Sequence, residues 1–300
     1  MRRTLAPLMC SMLLAATALV QAQSMSQAPS SQVDGATSPA PATPPVSADP
    51  PAAKAASVAS TSEADALAKQ LANPVASLIN VPFQFNYDTP VGVDGDRVTL
   101  NIQPVIPMKL SERWNLISRT IVPLIDQRDV VPGRHQSGLG DITQTLFFSP
   151  AETGPSGVIW GVGPVFVLPT GERGLGAKTW AVGGSVVVLK QADSWTVGML
   201  ANHVVDVGGG QDRVDISATF VQPFVTKAFG GGRSLTLNTE ATYDWNAKQW
   251  VVPVNLVYAK VVKLGKQLYS FNGGVRGYTH TPGRGADWGL RFVVALLYPK

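Results

Sequence analysis

Apolar and polar residues alternate with a period of two from about Leu78 to Tyr298. Successive side chains of a β-strand point to opposite faces of a sheet, so this alternation predicts strands with one apolar and one polar face. We count twelve such segments of about ten residues, separated by turn-forming residues. The predicted strands cover residues 78–88, 97–108, 113–125, 140–149, 157–168, 179–190, 194–206, 212–226, 233–244, 249–260, 267–278 and 287–298.

The alternation is clearest late in the chain, in the segments 233–244, 249–260 and 287–298. In the final one, an aromatic or aliphatic side chain occupies every second position: Trp288, Leu290, Phe292, Val294, Leu296 and Tyr298. The opposite face carries Gly289, Arg291 and Ala295, and segments 233–244 and 249–260 follow the same rule. Each apolar set begins or ends with an aromatic residue, as is typical of rings that lie at the headgroup level of a bilayer.

The length and number of these segments are typical of a barrel that spans a membrane. About ten residues of a tilted strand cross a bilayer, and bacterial barrels have an even number of strands. Lipid offers no hydrogen-bond partners, so the sheet must close on itself. Residues 73–300 are therefore predicted to be all-β, a closed antiparallel up-and-down transmembrane β-barrel of about 12 strands. If both chain ends are periplasmic, the longer connections 126–139, 169–178 and 279–286 face outside.

Several prolines conflict with uninterrupted strands: Pro104, Pro107, Pro123, Pro164, Pro223 and Pro253. Proline lacks an amide hydrogen and is found at strand ends, at sheet edges or at bulges. Either several strands are shorter than the pattern indicates, or bulges kink the wall. The alternative fold is a soluble β-sandwich, which has edges where proline is tolerated.

The first 72 residues differ from the rest and divide into three parts. Residues 1–22 are predicted to be a cleaved signal peptide, because Arg2 and Arg3 precede an apolar run that ends in Val20-Gln21-Ala22. Residues 23–60 are rich in Ala, Pro, Ser and Thr and are predicted to be a disordered linker. Residues 61–72 are predicted to form a short helix, which could plug the lumen, rest on the rim or have no partner.

Composition agrees with an exported membrane protein. Charged residues make up 15% of the chain, against ~25% in soluble domains. The formal net charge is +4 without a basic stripe, so we expect no nucleic-acid partner. Cys10 lies in the signal peptide, so the mature chain has no thiol chemistry. We predict a location in the cell outer membrane, with the lipid bilayer, the barrel-assembly machinery and a small-molecule solute as partners.

The sequence holds no pattern that points to catalysis. His135, His203 and His280 are far apart in the chain and lack the spacing of metal ligands. The glycine clusters do not precede a helix, so they lack the geometry of a phosphate-binding loop. We therefore predict no catalytic residue, no cofactor, no metal site and no enzymatic activity.

Polar residues at mid-strand are the candidates for function. A charge that faces lipid is costly, so such residues should face the lumen. We predict that six of them line a pore: Arg119, Asp215, Asn238, Glu240, Arg276 and Arg291. They would either line a water-filled path or pair into a plug that fills a narrow barrel. We expect the structural role to be the larger one for Arg119 and Glu240.

Several short stretches also resemble a known family. They are Asn73-Pro74-Val75-Ala76, Val81-Pro82-Phe83-Gln84, Trp114-Asn115-Leu116-Ile117-Ser118-Arg119-Thr120, Gly138-Leu139-Gly140-Asp141, Trp160-Gly161-Val162-Gly163-Pro164, Leu237-Asn238-Thr239-Glu240 and Tyr243-Asp244-Trp245. Over about Asn73 to Lys300, the chain resembles bacterial outer-membrane proteins of the phenol-degradation meta-pathway family, which are labelled transporters or, in some cases, neuromedin U. The resemblance implies an outer-membrane barrel that moves small, aromatic molecules, and it brings no functional residues with it.

Three hypotheses about function follow. The leading one is an outer-membrane channel or transporter for small aromatic or hydrophobic molecules, with selectivity set by lumen width and lining residues. The second is a structural or adhesive barrel whose lumen is filled. The third is an outer-membrane enzyme that modifies lipids.

Overall fold

The computed structural model describes residues 62–92, 94–209, 213–283 and 285–299; the predicted signal peptide (1–22) and linker (23–60) lie outside the described residues. The described residues form one helix, α1 (62–71), and a single 15-stranded antiparallel sheet. Its strands are β1 (Ile79–Val91), β2 (Gly95–Ile102), β3 (Val105–Lys109), β4 (Trp114–Arg128), β5 (His135–Leu139), β6 (Ile142–Pro150), β7 (Val158–Leu168), β8 (Thr179–Ala192), β9 (Trp195–Gly209), β10 (Ser217–Gly230), β11 (Arg233–Thr239), β12 (Ala241–Asp244), β13 (Gln249–Leu264), β14 (Gln267–His280) and β15 (Trp288–Tyr298).

The sheet closes into a barrel of twelve wall strands. β2 with β3, β5 with β6, and β11 with β12 are halves of single wall strands, so fifteen segments make 15 − 3 = 12. Each wall strand pairs with its neighbours in the chain, and β15 pairs with β1 from Ile79↔Tyr298 to Thr89↔Trp288. The closed up-and-down barrel predicted from the sequence is confirmed. A β-sandwich is excluded, because every wall strand has two neighbours and the sheet has no free edge.

The wall is interrupted beside four prolines: Pro104, Pro123, Pro223 and Pro253. Pro104 separates β2 from β3, and Pro123 lies opposite the break between β5 and β6, where Gly140 N donates to its carbonyl oxygen at 2.8 Å. Pro223 in β10 and Pro253 in β13 lie on either side of the break between β11 and β12. Proline cannot donate to a neighbouring strand, so the hydrogen-bond ladder breaks or bulges there.

The two ends of the barrel differ. We call the end at which β1 begins and β15 ends the terminal end; it carries the connections 110–113, 151–157, 193–194, 231–232 and 265–266. The other, the loop end, carries the connections 92–94, 129–134, 169–178, 210–216, 245–248 and 281–287. The loop-end connections are the longer set on average, as in barrels whose long loops face the outside of the cell.

All seven tryptophans lie on the outer surface close to strand ends. Three are at the terminal end and four at the loop end: Trp114, Trp160 and Trp195, and then Trp180, Trp245, Trp250 and Trp288. On β15, Trp288 and Tyr298 are 298 − 288 = 10 residues apart. Ten residues span about 33 Å along a strand, or about 25 Å along the barrel axis at the usual ~40° tilt. This separation matches the apolar band of a membrane barrel between its two aromatic girdles.

A matched pair on β13 tests this lipid-facing band. Leu256 lies at mid-strand and Leu264 at the terminal end, and both side chains point outward. We expect Leu256→Arg to lower the free energy of unfolding by about 2–4 kcal/mol and Leu264→Arg by about 0–1 kcal/mol, because the cost of a charge rises towards the bilayer centre. Urea titration of the protein refolded into lipid vesicles measures both values; equal losses would contradict the assignment of the band.

Candidate functional site in the barrel lumen

A cavity of about 410 Å³ lies inside the barrel. Side chains from every wall strand except β8, and from α1, line it. Both polar and apolar side chains form its surface. One apolar group lies on β7, β9 and β10 and consists of Val165, Val167, Val204, Ala218 and Phe220. A second lies on β13, β15 and α1 and consists of Val257, Ala259, Val261, Val293, Ala295, Ala68 and Leu71. The volume lies within the range of small-molecule pockets, about 300–1,000 Å³.

The helix α1 plugs the terminal end of the lumen. Leu67 and Ala68 are 4% and 6% exposed and pack in one cluster with Leu78, Val261 and Leu268. Ala68, together with Leu71 and Ala72, forms part of the cavity wall. Of the three possibilities for this helix, the structure therefore shows the plug. Among the residues that the structure describes, no helix is long and apolar enough to cross a membrane.

Polar contacts also hold α1 to the terminal-end turns. The carboxylate of Asp65 accepts a hydrogen bond from Gly232 N at 2.6 Å, and Lys69 O accepts one from Gln191 Nε2 at 2.8 Å. Glu63 Oε2 lies 3.5 Å from Lys263 Nζ. Surface contacts of this kind add little each, about 0–1 kcal/mol for an exposed ion pair. The apolar cluster around Leu67 is thus the main attachment of the helix.

The segment that follows α1 closes the other side of the terminal end. Val75 is 6% exposed and packs with Ile117, Phe147 and Val187, all of which point into the lumen. Its Cγ1 lies 3.2 Å from the position that a Cβ on Gly161 would take. A larger residue at 161 would therefore push this segment away. Residues 62–78 together form a plug that is covalently part of the chain but not part of the wall.

A group of charged side chains crosses the lumen on the loop-end side of the plug. Arg291 on β15 donates from Nη1 and Nη2 to the two oxygens of Glu240, at 2.8 and 2.7 Å, and its Nε donates to Asn86 Oδ1 at 2.7 Å. On β14, Arg276 lies 3.4 Å from Asp88 and 3.9 Å from Glu240. These arginine and carboxylate side chains are buried or nearly so, and a two-pronged guanidinium–carboxylate pair is the strongest arrangement for such charges.

Two prolines flank Glu240 in the wall. Glu240 lies at the break between β11 and β12, and its backbone N donates to Pro253 O at 3.2 Å. The flanking strands β10 and β13 carry Pro223 and Pro253 at this level, and neither can donate a hydrogen bond to the Glu240 backbone. The hydrogen-bond ladder is therefore interrupted here, but the register is the same on both sides of the break, so Glu240 keeps the inward position that alternation gives it. Its carboxylate extends to the arginines of β14 and β15.

Arg119 occupies the other side of the lumen. It lies on β4 and lines the cavity. Within the described part of the chain, its guanidinium makes one hydrogen bond, from Nη2 to Gln103 Oε1 at 3.2 Å. A guanidinium has five N–H donors, so the remaining donors are available to water or to a ligand in the cavity.

Most of the predicted pore-lining residues come together around this cavity: Arg119, Asn238, Glu240, Arg276 and Arg291. Asp215 does not. It lies in the connection before β10, its side chain is 68% exposed, and its carboxylate is 3.6 Å from Arg213 Nε. The prediction placed it in a strand that would begin at residue 212, whereas β10 begins at Ser217.

Asp88 is a charged lumen residue that the sequence analysis missed. It is 5% exposed and accepts a hydrogen bond from the Tyr278 hydroxyl at 2.8 Å, beside Arg276. The signal was present, because Asn86 and Asp88 alternate with the outward-facing Phe85 and Tyr87. The predicted strand ended at residue 88, but β1 continues to Val91, so Asp88 is interior to the wall.

The three histidines lie on different strands. His135 Nε2 is 2.7 Å from Asp126 Oδ2 near the loop end, and His203 Nδ1 is 2.9 Å from Thr219 Oγ1 on the outer surface. His280 is the last residue of β14. Among the described residues, no group of three or more His, Cys, Asp or Glu side chains is arranged to hold a metal ion.

Known proteins are similar to this chain in structure but not in sequence. No model of a known protein family matches the chain, and no curated protein matches its sequence. An outer membrane channel from Pseudomonas putida superposes with a TM-score of 0.59 at 14% identity, over 74% of this chain and 96% of that one. Outer membrane phospholipase A from Escherichia coli matches with a TM-score of only 0.45 at 11% identity, over 74% of this chain and 90% of that one. The likeness to the channel shows that the two chains share a barrel fold.

Proposed function

We propose that the protein is an outer-membrane channel for small molecules. The observation that carries the proposal is the cavity itself. A lumen of about 410 Å³ is lined by polar side chains from almost all wall strands and is closed at one end by a plug from the N-terminal segment. A barrel with a purely structural role needs no such space, because side chains from the wall can fill it. The similarly folded channel from Pseudomonas putida supports the same proposal.

The proposal includes an outer-membrane location and small aromatic or hydrophobic molecules as solutes. The girdles of tryptophan support a bilayer setting, and assembly into it would require the barrel-assembly machinery. The apolar side chains of the cavity, Phe220 among them, suit solutes that have an apolar body. Membership of the phenol-degradation meta-pathway family stays a prediction. Growth of a deletion strain on a panel of aromatic carbon sources tests the solute class; unchanged growth on all of them would argue against it.

The second candidate is the structural barrel with a filled lumen. Two observations favour it: the Glu240–Arg291 pair crosses the lumen, and the cluster around Phe147 fills much of the terminal end. Under this hypothesis the plug would be permanent, and the loop-end connections would bind partners.

Recording from single molecules in planar bilayers separates the two candidates. We expect the wild-type chain to give small, infrequent conductance steps, because residues 62–78 obstruct the terminal end. Liposomes that contain the protein should also release a small aromatic solute faster than protein-free liposomes. Absence of both conductance and solute flux, in the wild type and in a variant with a released plug, would establish the filled barrel instead.

A further inference from the structure

Five ionisable side chains at the cavity do not balance in charge. The guanidinium groups of Arg119, Arg276 and Arg291 line the cavity with the carboxylate of Glu240, and Asp88 pairs with Arg276, which leaves 3 − 2 = +1 for this group. A further guanidinium, that of Arg97, lies opposite Asp88 on β2 but does not line the cavity. The two carboxylates pair with Arg276 and Arg291. The surplus positive charge therefore resides at Arg119, across the cavity. A cation away from bulk water is costly unless an anion or several hydrogen bonds compensate it.

Arg119 has the geometry to receive that anion. Its guanidinium lines the cavity, and Gln103 occupies one of its donors. The planar fork of a guanidinium matches the two oxygens of a carboxylate, and such a pair is about twice as strong as a neutral hydrogen bond. Glu240 is the nearest competing carboxylate in the lumen, but both of its oxygens already accept hydrogen bonds from Arg291.

Apolar side chains line the cavity on several of the strands that follow Arg119 around the wall. Ile121 is the next inward-facing residue on β4, Val165 and Val167 lie on β7, and Phe220 lies on β10, while β6 and β9 contribute Thr143, Thr145 and Asn202. The Ile, Val and Phe side chains can neither donate nor accept a hydrogen bond. The cavity thus presents one cationic end beside a surface that suits hydrocarbon or an aromatic ring.

We propose that this cavity is a binding site for a small organic carboxylate. The carboxylate pairs with Arg119, and the apolar body packs against Ile121, Val165 and Phe220. The proposal rests on the channel function and specifies the class of its solute: an amphipathic anion rather than a neutral molecule or an inorganic ion. Binding brings the net charge of the lumen groups from +1 to zero.

Benzoate and benzamide test the proposal on the wild-type protein. The two molecules have nearly the same size and shape, but only benzoate carries a charge. Calorimetric titration of the full mature chain, folded in detergent, should show saturable binding of benzoate and at least about tenfold weaker binding of benzamide. Chloride at the same ionic strength should compete weakly, because it has no apolar body. Equal affinities for benzoate and benzamide would overturn the proposal, whether or not any variant folds.

Variants locate the site. Arg119→Gln should weaken benzoate binding by about 10- to 100-fold and leave benzamide binding unchanged. Arg119→Lys keeps the charge but loses the fork, and should give an intermediate affinity. The matched control is Arg113→Gln, because Arg113 is exposed in the 110–113 turn and lies outside the cavity. Benzoate binding to Arg119→Gln at wild-type affinity would place the anion elsewhere and refute the assignment.

The failure of this inference is distinguishable from the failure of the channel proposal. If the channel proposal is wrong, neither the wild type nor a variant with a released plug shows conductance or solute flux, while benzoate can still bind. If the inference is wrong, the protein conducts but does not distinguish benzoate from benzamide in binding or in flux.

Discussion

Replacing Glu240 by alanine will destabilise the barrel by about 3 kcal/mol, the cost of removing one partner from a buried ion pair. The loss is large because the Glu240 carboxylate accepts two hydrogen bonds from Arg291 and lies 3.9 Å from Arg276, and the arginine side chains are only 4% and 1% exposed. Without Glu240, both guanidinium groups lose a counter-charge in the lumen. Guanidinium titration of the protein refolded into lipid vesicles measures the loss.

Two comparisons test the ion pair between Glu240 and Arg291. Glu112→Ala removes a carboxylate from an ion pair with Lys109 that is 89% exposed on the carboxylate side, and should cost less than about 1 kcal/mol. The double variant Glu240→Met with Arg291→Met should be more stable than the sum of the two single losses predicts, because removing both charges leaves neither one unpaired. Additive losses would show that the two side chains do not interact in the folded protein.

The substitution Glu240→Ala also alters the electrostatics of the lumen. The net charge of Asp88, Arg119, Glu240, Arg276 and Arg291 rises from +1 to +2 when Glu240 is lost. An excess of positive charge along a pore favours anions. The reversal potential in a salt gradient should therefore shift in the direction of anion selectivity, and an unchanged value would mean that ions do not pass this group.

Releasing the plug will raise the conductance of the barrel severalfold. Leu67 is 4% exposed and packs against Val261 and Leu268. An aspartate at this position would bury an unpaired carboxylate, which costs several kcal/mol, more than the small apolar interface of α1 can offset. The Leu67→Asp helix should therefore leave the lumen, and the terminal end of the cavity should open. Single-channel recording measures the change.

The matched control is the neighbouring position on the exposed face of the same helix. Ala66→Asp introduces the same charge into water, and its conductance should equal that of the wild type. Release of α1 can be followed independently by trypsin, which should cleave after Lys69 faster in Leu67→Asp than in Ala66→Asp. Faster cleavage without a rise in conductance would show that the wall and residues 72–78 close the lumen without the helix.

The predictions from sequence were accurate where the information is local. Alternation of apolar and polar residues depends only on the strand conformation, so it identified the twelve wall strands and the lipid-facing side of the segments 233–244, 249–260 and 287–298. It also placed Asn238, Glu240, Arg276 and Arg291 on the inward face. It failed for Asp215 and Asp88, because both depend on where a strand ends, and strand ends depend on pairing with neighbours rather than on the residue itself.

The contacts inside the lumen could not be predicted from the alternation of apolar and polar residues. Glu240 and Arg291 are separated by 51 residues and by the intervening strands β13 and β14. Their contact depends on the diameter of the closed barrel and on the register that turns both side chains into the lumen. The prolines are visible in the sequence. Only the structure shows that two of them, Pro223 and Pro253, flank Glu240 from the strands on either side.

The sequence by itself determined the alternating strands, and in lipid a period of two and the need to pair every backbone amide require that such strands close into a barrel. Only the tertiary structure decided what fills that lumen. The helix α1 docks through Leu67 on residues about 200 positions later, such as Val261 and Leu268. Arg119 donates to Gln103, whereas both oxygens of Glu240 accept hydrogen bonds from Arg291. Both outcomes depend on closure and register, which bring together residues that no local pattern relates.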